Sequence, residues 1–349
     1  MPVQKLQYKP GVNRDVTSYT NEGGWIDSEK VRFRLGFPEK IGGWVKRTLK
    51  TYLGSARSLF PWTALDGSKF IAVGSSVKYY VVQGDDFNDI TPIRQTTTGE
   101  ATFAVANGAT VATVTDGSHG VNVGDFVTFS DAATLGGNVT AAVLNQEYEI
   151  ISVPTVNTFT INLSVTGNGS DTGNGGGSTV AAYQIDCGLD TQVGGTGWGA
   201  GTWQRSTWGS SFGTGVSTEL ALWNQDNFGE DLLLNIRDGA IFYWRKGGGL
   251  AARAINLIDI AGANNAPTVA KQVMVSDNSR HVIAFGTNTF GTFVQDPLLI
   301  RFSSSESLTD WAPTPTNSAG DLRIGSGSTF ITAIETKREI VVFTDSTLH

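Results

Sequence analysis

Short apolar runs bounded by polar turns recur along the chain at intervals of a few tens of residues. Four copies share one pattern, in which a polar turn leads to an apolar run, a second turn and another apolar segment; the runs are residues 70–74, 232–235, 282–286 and 340–344. Repeated strand–turn–strand units of this size are typical of solenoids and propellers. The sequence therefore predicts an all-β protein with β-propeller-like repeats, a fold that usually supports binding or assembly.

Shifts in composition and patterning divide the chain into five predicted regions. These are an N-terminal arm with strands at 1–50, one or more propeller blades at 51–95, an inserted small β-domain at 96–185, a loop rich in glycine and tryptophan at 186–215, and further propeller blades at 216–349. We expect the last blade to be incomplete, because the repeat needs a second strand after the turn at 345–347 and only Leu348 and His349 follow.

The inserted region departs from the repeat and carries its own strand signals. Five segments have the pattern of strands, at 101–105, 109–114, 125–130, 147–153 and 158–163. Turn residues separate them, as expected for a small antiparallel β-domain. The run at 167–178 is mostly glycine, serine, threonine and asparagine, a composition that predicts a flexible linker or a long hairpin tip.

Composition supports the all-β interpretation and narrows the classes of function. Glycine accounts for 43 of 349 residues and charged residues for 16%, against about 25% charged residues in ordinary globular domains. Cys187 is the only cysteine, so neither an intrachain disulfide nor a cysteine-based metal site can form. The net charge of −7 argues against sequence-independent binding of DNA, which needs a basic surface. It is compatible with a channel surface along which DNA slides.

The sequence shows no targeting signal. No apolar run approaches the ~20 residues that a membrane-spanning helix needs. The first eight residues lack the apolar core of a signal peptide. We therefore expect a protein that is made in the cytoplasm and does not span a membrane.

The residues that usually carry chemistry form no recognisable constellation. His119, His281 and His349 lack the spacing of a metal site, and the sequence contains no phosphate-loop, nucleophile-elbow or zinc-helix motif. Acidic residues crowd at 85–89, where the spacing differs from an EF-hand, so capping of a turn is favoured over a calcium loop. We predict no catalytic, cofactor-binding or metal-binding site.

Tryptophans are the candidate interface residues. Trp198, Trp203 and Trp208 lie five residues apart in a segment rich in glycine, serine and threonine. Such rings can pack over a sheet, lock into a neighbouring subunit or stack on sugars, and packing or subunit contact is favoured here. Trp25 and Trp44 in the N-terminal arm are the other predicted interface residues.

Several segments resemble one family of viral structural proteins, the phage stabilisation or tail-nozzle (tail hub) proteins of short-tailed bacteriophages. The resemblance lies in residues 22–44, 280–288, 296–303, 308–311, 317–323 and 337–346. It extends over roughly residues 1–95 and 215–349. The segment at 123–129 resembles small β-domains that occur in phage structural proteins.

This resemblance implies a structural role in a virion tail rather than catalysis. Members of the family form a homo-oligomeric ring, expected to have six copies, below the portal and its head–tail adaptor. The ring extends the channel for double-stranded DNA, retains or releases the genome and contacts tail fibre, spike or needle proteins. Members continue into further propeller strands, so the resemblance implies that this chain lacks a C-terminal part.

Two other functions remain open from the sequence. A host-surface adhesin or glycan-binding propeller would use Trp198, Trp203 and Trp208 as platforms for sugar rings. A glycan-cleaving propeller enzyme would need two carboxylates facing one cleft, and the sequence shows no such pair. The tail-nozzle interpretation is favoured over both.

Overall fold

Antiparallel sheets make up almost all of the regular structure in the computed structural model, which describes residues 9–43, 45–46, 48–188 and 222–349. The chain divides into two units, residues 1–49 and 50–349. The fold is all-β, as predicted, with repeated four-stranded sheets and one larger inserted sheet. Within the described ranges, no helix is long and apolar enough to cross a membrane.

The smaller unit is built around a hairpin of strands β1 (Val31–Arg34) and β2 (Phe37–Lys40). Leu35 and Gly36 connect the two strands with φ angles of 51° and 85°. Two consecutive positive φ angles match the twist of a hairpin and close it in two residues. Both strands lie in the N-terminal region, 1–50, where strands were predicted.

The first four-stranded sheet is a meander of neighbouring strands. Its strands are β3 (Ala56–Thr63), β4 (Lys69–Ser75), β5 (Tyr79–Gln83) and β6 (Asp86–Asp89). Each strand pairs with the next in the antiparallel sense. The strand–turn–strand repeat predicted from the apolar run at 70–74 is confirmed as β4 and β5.

A seven-stranded antiparallel sheet follows. Its strands are β7 (Ile93–Thr98), β8 (Thr102–Val105), β9 (Val111–Thr115), β10 (Phe126–Ser130), β11 (Glu147–Thr155), β12 (Thr158–Asn162) and β13 (Val180–Gln184), with a short helix α1 (Ala141–Leu144) before β11. The strand order is β7-β13-β10-β11-β12-β9-β8. All five strands predicted in this region are present, whereas β7 and β13 were missed.

Three further sheets complete the larger unit. The second four-stranded sheet has β14 (Trp223–Phe228), β15 (Asp231–Ile236), β16 (Ile241–Trp244) and β17 (Ile255–Asn256), with 3₁₀ turns at Lys246–Gly248 and Leu257–Asp259. The third has β18 (Gln272–Val275), β19 (Val282–Phe285), β20 (Leu299–Phe302) and β21 (Gly320–Arg323), and the fourth has only β22 (Phe330–Glu335) and β23 (Ile340–Thr344). The last predicted repeat thus appears as a two-stranded sheet.

Successive sheets pack face to face, and each inner sheet contributes side chains to two cores. Strand β15 shows the principle: Leu232 and Leu234 lie in the core shared with the first sheet, whereas Leu233 lies in the core shared with the third. Alternate residues of a strand point to opposite faces, so one strand serves both neighbours. Phe285 and Phe330 join the third sheet to the fourth, with ring centroids 5.0 Å apart.

The glycine-rich run at 167–178 connects β12 to β13, which are not neighbours in the sheet, so the predicted hairpin tip was wrong, and hydrogen bonds tie the run to residues 137–139. The Asp171 carboxylate accepts backbone N–H groups from residues 137–139 at 2.9–3.2 Å and from Asn168 at 2.7 Å. Burial acts to raise the pKa of Asp171, but these donors outweigh it and the pKa lies below its usual value. The prediction of a flexible linker was based on composition. Composition does not show that one side chain, Asp171, holds two loops together.

One glycine of the first sheet is required by close packing against the second. A Cβ atom on Gly74 would lie 2.6 Å from the Trp223 ring. That ring is fixed, because its Nε1 donates to the Ser75 carbonyl at 2.7 Å and its face meets Tyr79 edge-on at 4.7 Å between centroids. The contact therefore leaves no room for a side chain.

We expect Gly74→Ala to lower the free energy of unfolding by about 1–3 kcal/mol, since overpacking forces the surrounding groups to shift. Urea denaturation followed by tryptophan fluorescence measures this change. Gly325→Ala is the matched control, because a Cβ atom there meets nothing within 4 Å. Equal effects of the two substitutions would contradict the proposed close packing.

Candidate functional site

A lysine that is almost completely buried marks the junction between the inserted sheet and the first sheet. Lys78 lies in the turn between β4 and β5, and its side chain is 2% exposed. Its Nζ atom lies 2.7 Å from Asp89 Oδ2 and 2.5 Å from Glu147 Oε2. It also sits 4.5 Å above the centre of the Phe126 ring. Both Glu147 and Phe126 belong to the inserted sheet, so the lysine connects two sheets.

A second cation completes the cluster. Arg253, in the segment between β16 and β17, places Nη1 2.7 Å from Asp89 Oδ1 and Nη2 3.6 Å from Glu147 Oε1. Gln184 on β13 donates an amide hydrogen to the same Glu147 oxygen. The two carboxylates are therefore shared between two cations. Because the segment that carries Arg253 connects two strands of the second sheet, parts of three sheets meet here. We call these residues the junction cluster (Lys78, Asp89, Glu147, Arg253).

The local fold explains why these side chains converge. The Ser75 hydroxyl oxygen accepts the Lys78 N–H at 2.9 Å, which closes the turn and directs the lysine toward the inserted sheet. Asp89 ends β6, and its Oδ1 atom accepts the Thr91 N–H at 2.9 Å as the chain turns toward β7. Burial acts to raise the pKa of Asp89, but Lys78 and Arg253 outweigh it and hold the pKa below its usual value. The Asp89 carboxylate therefore stays ionised to a lower pH than that of an ordinary aspartate.

The junction cluster has the chemistry of a structural joint. Glu147 and Glu149, which both lie on β11, line an open depression of about 340 Å³. Both Glu147 oxygens are occupied by Lys78, Arg253 and Gln184. Among the described residues, no group of three or more His, Cys, Asp or Glu side chains could hold a metal ion.

Of the five tryptophans predicted as interface residues, Trp25 lies among the residues that the structure describes. Trp25 is half-buried and packs edge-on against Phe33 of β1, with ring centroids 6.0 Å apart. Its carbonyl accepts the Asn13 N–H at 2.8 Å, so its backbone helps to hold the small unit together. Trp44, Trp198, Trp203 and Trp208 lie outside the described residues.

Sequence reasoning did not identify the junction cluster. The local signals were a lysine placed between Val77 and Tyr79 in an apolar segment, and the acidic run at 85–89, which was interpreted as capping a turn. The lysine's partner Glu147 is 69 positions away, in a different sheet. Pairs this distant cannot be assigned from periodicity, which reports only on neighbours along one strand.

A half-buried carboxyl, that of Asp226, lies where the second, third and fourth sheets meet. Asp226 on β14 accepts the Val275 N–H at 2.8 Å through Oδ2 and the Asn227 N–H at 2.8 Å through Oδ1. Burial raises the pKa of Asp226 to about 6, and the nearby charges of Glu335 and Asp277 add to the increase. The folded protein therefore holds this proton at a pH where an unfolded aspartate has lost it.

Lys78→Met should destabilise the protein by about 3–5 kcal/mol, since removing one member of a buried charge cluster leaves the others uncompensated. Urea denaturation of both forms gives the difference. Arg323→Met is the matched control: its ion pair with Asp296 is 60% exposed on the arginine side, and such pairs contribute about 0–1 kcal/mol. Equal costs for the two variants would show that the junction cluster does not stabilise the fold.

The proton held by Asp226 predicts a pH effect. An acid whose pKa rises from 3.8 to about 6 on folding makes the protein more stable as the pH falls through that interval. Relative to wild type, Asp226→Asn should therefore be more stable at pH 7.5 than at pH 4.5, by about 1–3 kcal/mol of unfolding free energy. Urea midpoints at both pH values measure this. The exposed Glu339→Gln serves as the control and should show no such difference; an identical response of both variants would contradict the assignment.

Comparison with known proteins adds little to this geometry. No model of a known protein family matches the chain. No curated protein matches it either. Among solved structures, the endosialidase of phage phi92 is similar over 88% of this chain and 43% of that chain, with 12% sequence identity and a TM-score of 0.22. The chain thus spans less than half the length of that structure, and a likeness this weak carries no argument about function.

Proposed function

We propose that this chain is a structural component of a phage tail, a nozzle or hub protein that forms a ring below the portal and its adaptor. In this role it extends the DNA channel and retains the genome until ejection. It acts by assembly, without turnover of a substrate.

The main support is that the segments that resemble the tail-nozzle family lie in the stacked sheets. The segments at 280–288, 296–303 and 337–346 resemble the tail-nozzle family, and they contain β19, β20 and β23. These strands supply the cores between the second, third and fourth sheets. The resemblance therefore concerns the part of the chain that builds the repeated architecture.

Two physical properties fit the same role. Repeated four-stranded sheets of the propeller type leave short edge strands, here β6, β17 and β21, which suits a rigid component of a closed assembly. The net charge of −7 also disfavours tight binding of a polyanion, so DNA can pass a wall built from this protein. Partners in this role are further copies of the chain, the head–tail adaptor and tail fibre, spike or needle proteins.

Cryo-electron microscopy of the virion that carries this chain tests the proposal. We expect a six-fold ring on the tail axis below the adaptor, with a central hole wide enough for a DNA duplex. A peripheral trimer, or a single copy at a fibre tip, would overturn it and favour the host-surface adhesin. A ring that lies away from the DNA channel would also contradict the nozzle role.

A further inference from the structure

The described residues of the smaller unit, 1–49, form no hydrophobic core of their own. Among them, Asn21 is the one that is buried. The β1–β2 hairpin and the residue that follows it leave Leu35 91%, Phe37 75% and Ile41 56% exposed. A two-stranded hairpin is only marginally stable in water unless another surface covers it. The hairpin therefore needs a surface against which to bury these side chains.

One face of this hairpin places a cation beside an aromatic ring. Arg34 lies directly opposite Phe37 across the strand pair, and both point to the face opposite Phe33. Arg34 is exposed and has no hydrogen-bond or ion-pair partner in the part of the chain that the structure describes. By contrast, Arg32 pairs with Glu39 at 3.0 Å. The hairpin thus offers one unpaired guanidinium next to exposed apolar area.

The open depression in the inserted sheet offers the complementary pair. Glu149 and Ile151 lie two positions apart on β11, and both line the depression together with the buried Leu163. Glu149 is exposed, and its carboxylate has no partner among the described residues. Ile151 is 41% exposed. An unpaired carboxylate therefore stands next to exposed apolar area here too.

The two pairs match in spacing as well as in chemistry. Side chains directly opposite each other in an antiparallel pair lie about 5 Å apart, and residues two positions apart along one strand lie about 7 Å apart. The long side chain of Arg34 can cover this difference. When it meets the Glu149 carboxylate, Phe37 is in reach of Ile151.

The distribution of charge along the chain favours the same contact. Residues 1–49 contain nine Lys and Arg against five Asp and Glu, a net charge of +4. The inserted region at 96–185 contains seven Asp and Glu and neither Lys nor Arg. Surfaces of opposite charge attract each other before contact and disfavour partners of like charge. A second copy of the chain therefore carries a suitable surface for the hairpin.

DNA fits the hairpin less well, although the smaller unit is basic. A DNA backbone binds through its phosphate charges and offers little apolar area to cover exposed apolar side chains. Three of the cations in this unit, Arg14, Lys30 and Arg32, already pair with carboxylates of the same unit. A protein surface that combines a carboxylate with apolar area is the better match.

We propose that the β1–β2 hairpin of one copy docks in the depression of the inserted sheet of the next copy, where Arg34 pairs with Glu149 and Phe37 packs on Ile151. A contact between two different surfaces of identical subunits is heterologous, and such contacts generate rings when the rotation closes. The inference rests on the proposed ring and names a contact that would build it.

Charge reversal tests the contact in the full chain, by analytical ultracentrifugation at several concentrations. We expect the wild type to associate, and Arg34→Glu and Glu149→Arg each to lower the association constant about 10-fold or more, since like charges then face each other. Arg338→Glu and Glu339→Arg are the matched controls, because they make the same charge changes in the exposed turn between β22 and β23. A wild type that stays monomeric at about 100 μM, or reversed variants that associate like the controls, would overturn the contact.

A mixture of the two reversed chains distinguishes docking between copies from docking within one chain. In the mixture each chain supplies the charge that the other lacks, so association should return to the wild-type level. A mixture that stays as monomeric as its separate components would contradict docking between copies. Binding of a DNA duplex that Arg34→Glu abolishes, with chain association unchanged, would assign the hairpin to DNA and would also overturn the contact.

The outcomes separate this contact from the proposed function. If the virion shows the axial ring while Arg34→Glu protein still associates normally, the contact is wrong and the nozzle role stands. If the virion shows the chain at a fibre tip while the reversed chains associate only when mixed, the contact stands and the nozzle role is wrong.

Discussion

The architecture depends on one constraint, the alternation of side chains along a β-strand. A sheet with apolar residues on both faces must be covered on both sides, so one such sheet requires two neighbours. The second and third sheets are each covered on both sides in this way. The tryptophan and leucine side chains of the cores on either side of the second sheet are almost fully buried. Stability is therefore distributed along a series of similar interfaces, and each sheet contributes to holding those beside it.

Buried charges occur in this apolar stack at the junction with the inserted sheet. Burying Lys78 is tolerable only because Asp89 and Glu147 lie within 2.7 Å of its amine. The cluster favours one placement of the inserted sheet, since moving that sheet would take Glu147 away from the buried ammonium of Lys78. Apolar contacts alone would allow sliding. The junction cluster therefore supplies orientation, whereas the sheet cores supply most of the cohesion.

The sequence was sufficient to predict the all-β class, the repeats and most strands, because these follow from local alternation. Strands β7 and β13 were not predicted. Their threonine- and alanine-rich sequences, such as Thr96–Thr98, show little alternation between apolar and polar residues. The order of the inserted sheet was also inaccessible, because β13 pairs with β7 more than 80 positions earlier in the chain. Asp171 and Lys78 show the same limit: each acts through partners that only the folded chain brings near.

The pairing of β7 with β13 has an evolutionary consequence. The register places Ile93 opposite Gln184, so the chain enters and leaves the inserted sheet through adjacent strands, about 5 Å apart. An excursion whose two ends meet in this way imposes no spacing on the rest of the protein. Related genes could therefore lengthen or shorten the loops of this inserted sheet while the sheets on either side keep their geometry, as long as Glu147 still meets Lys78. The surface that it carries is free to diversify at a different pace from the scaffold beneath it.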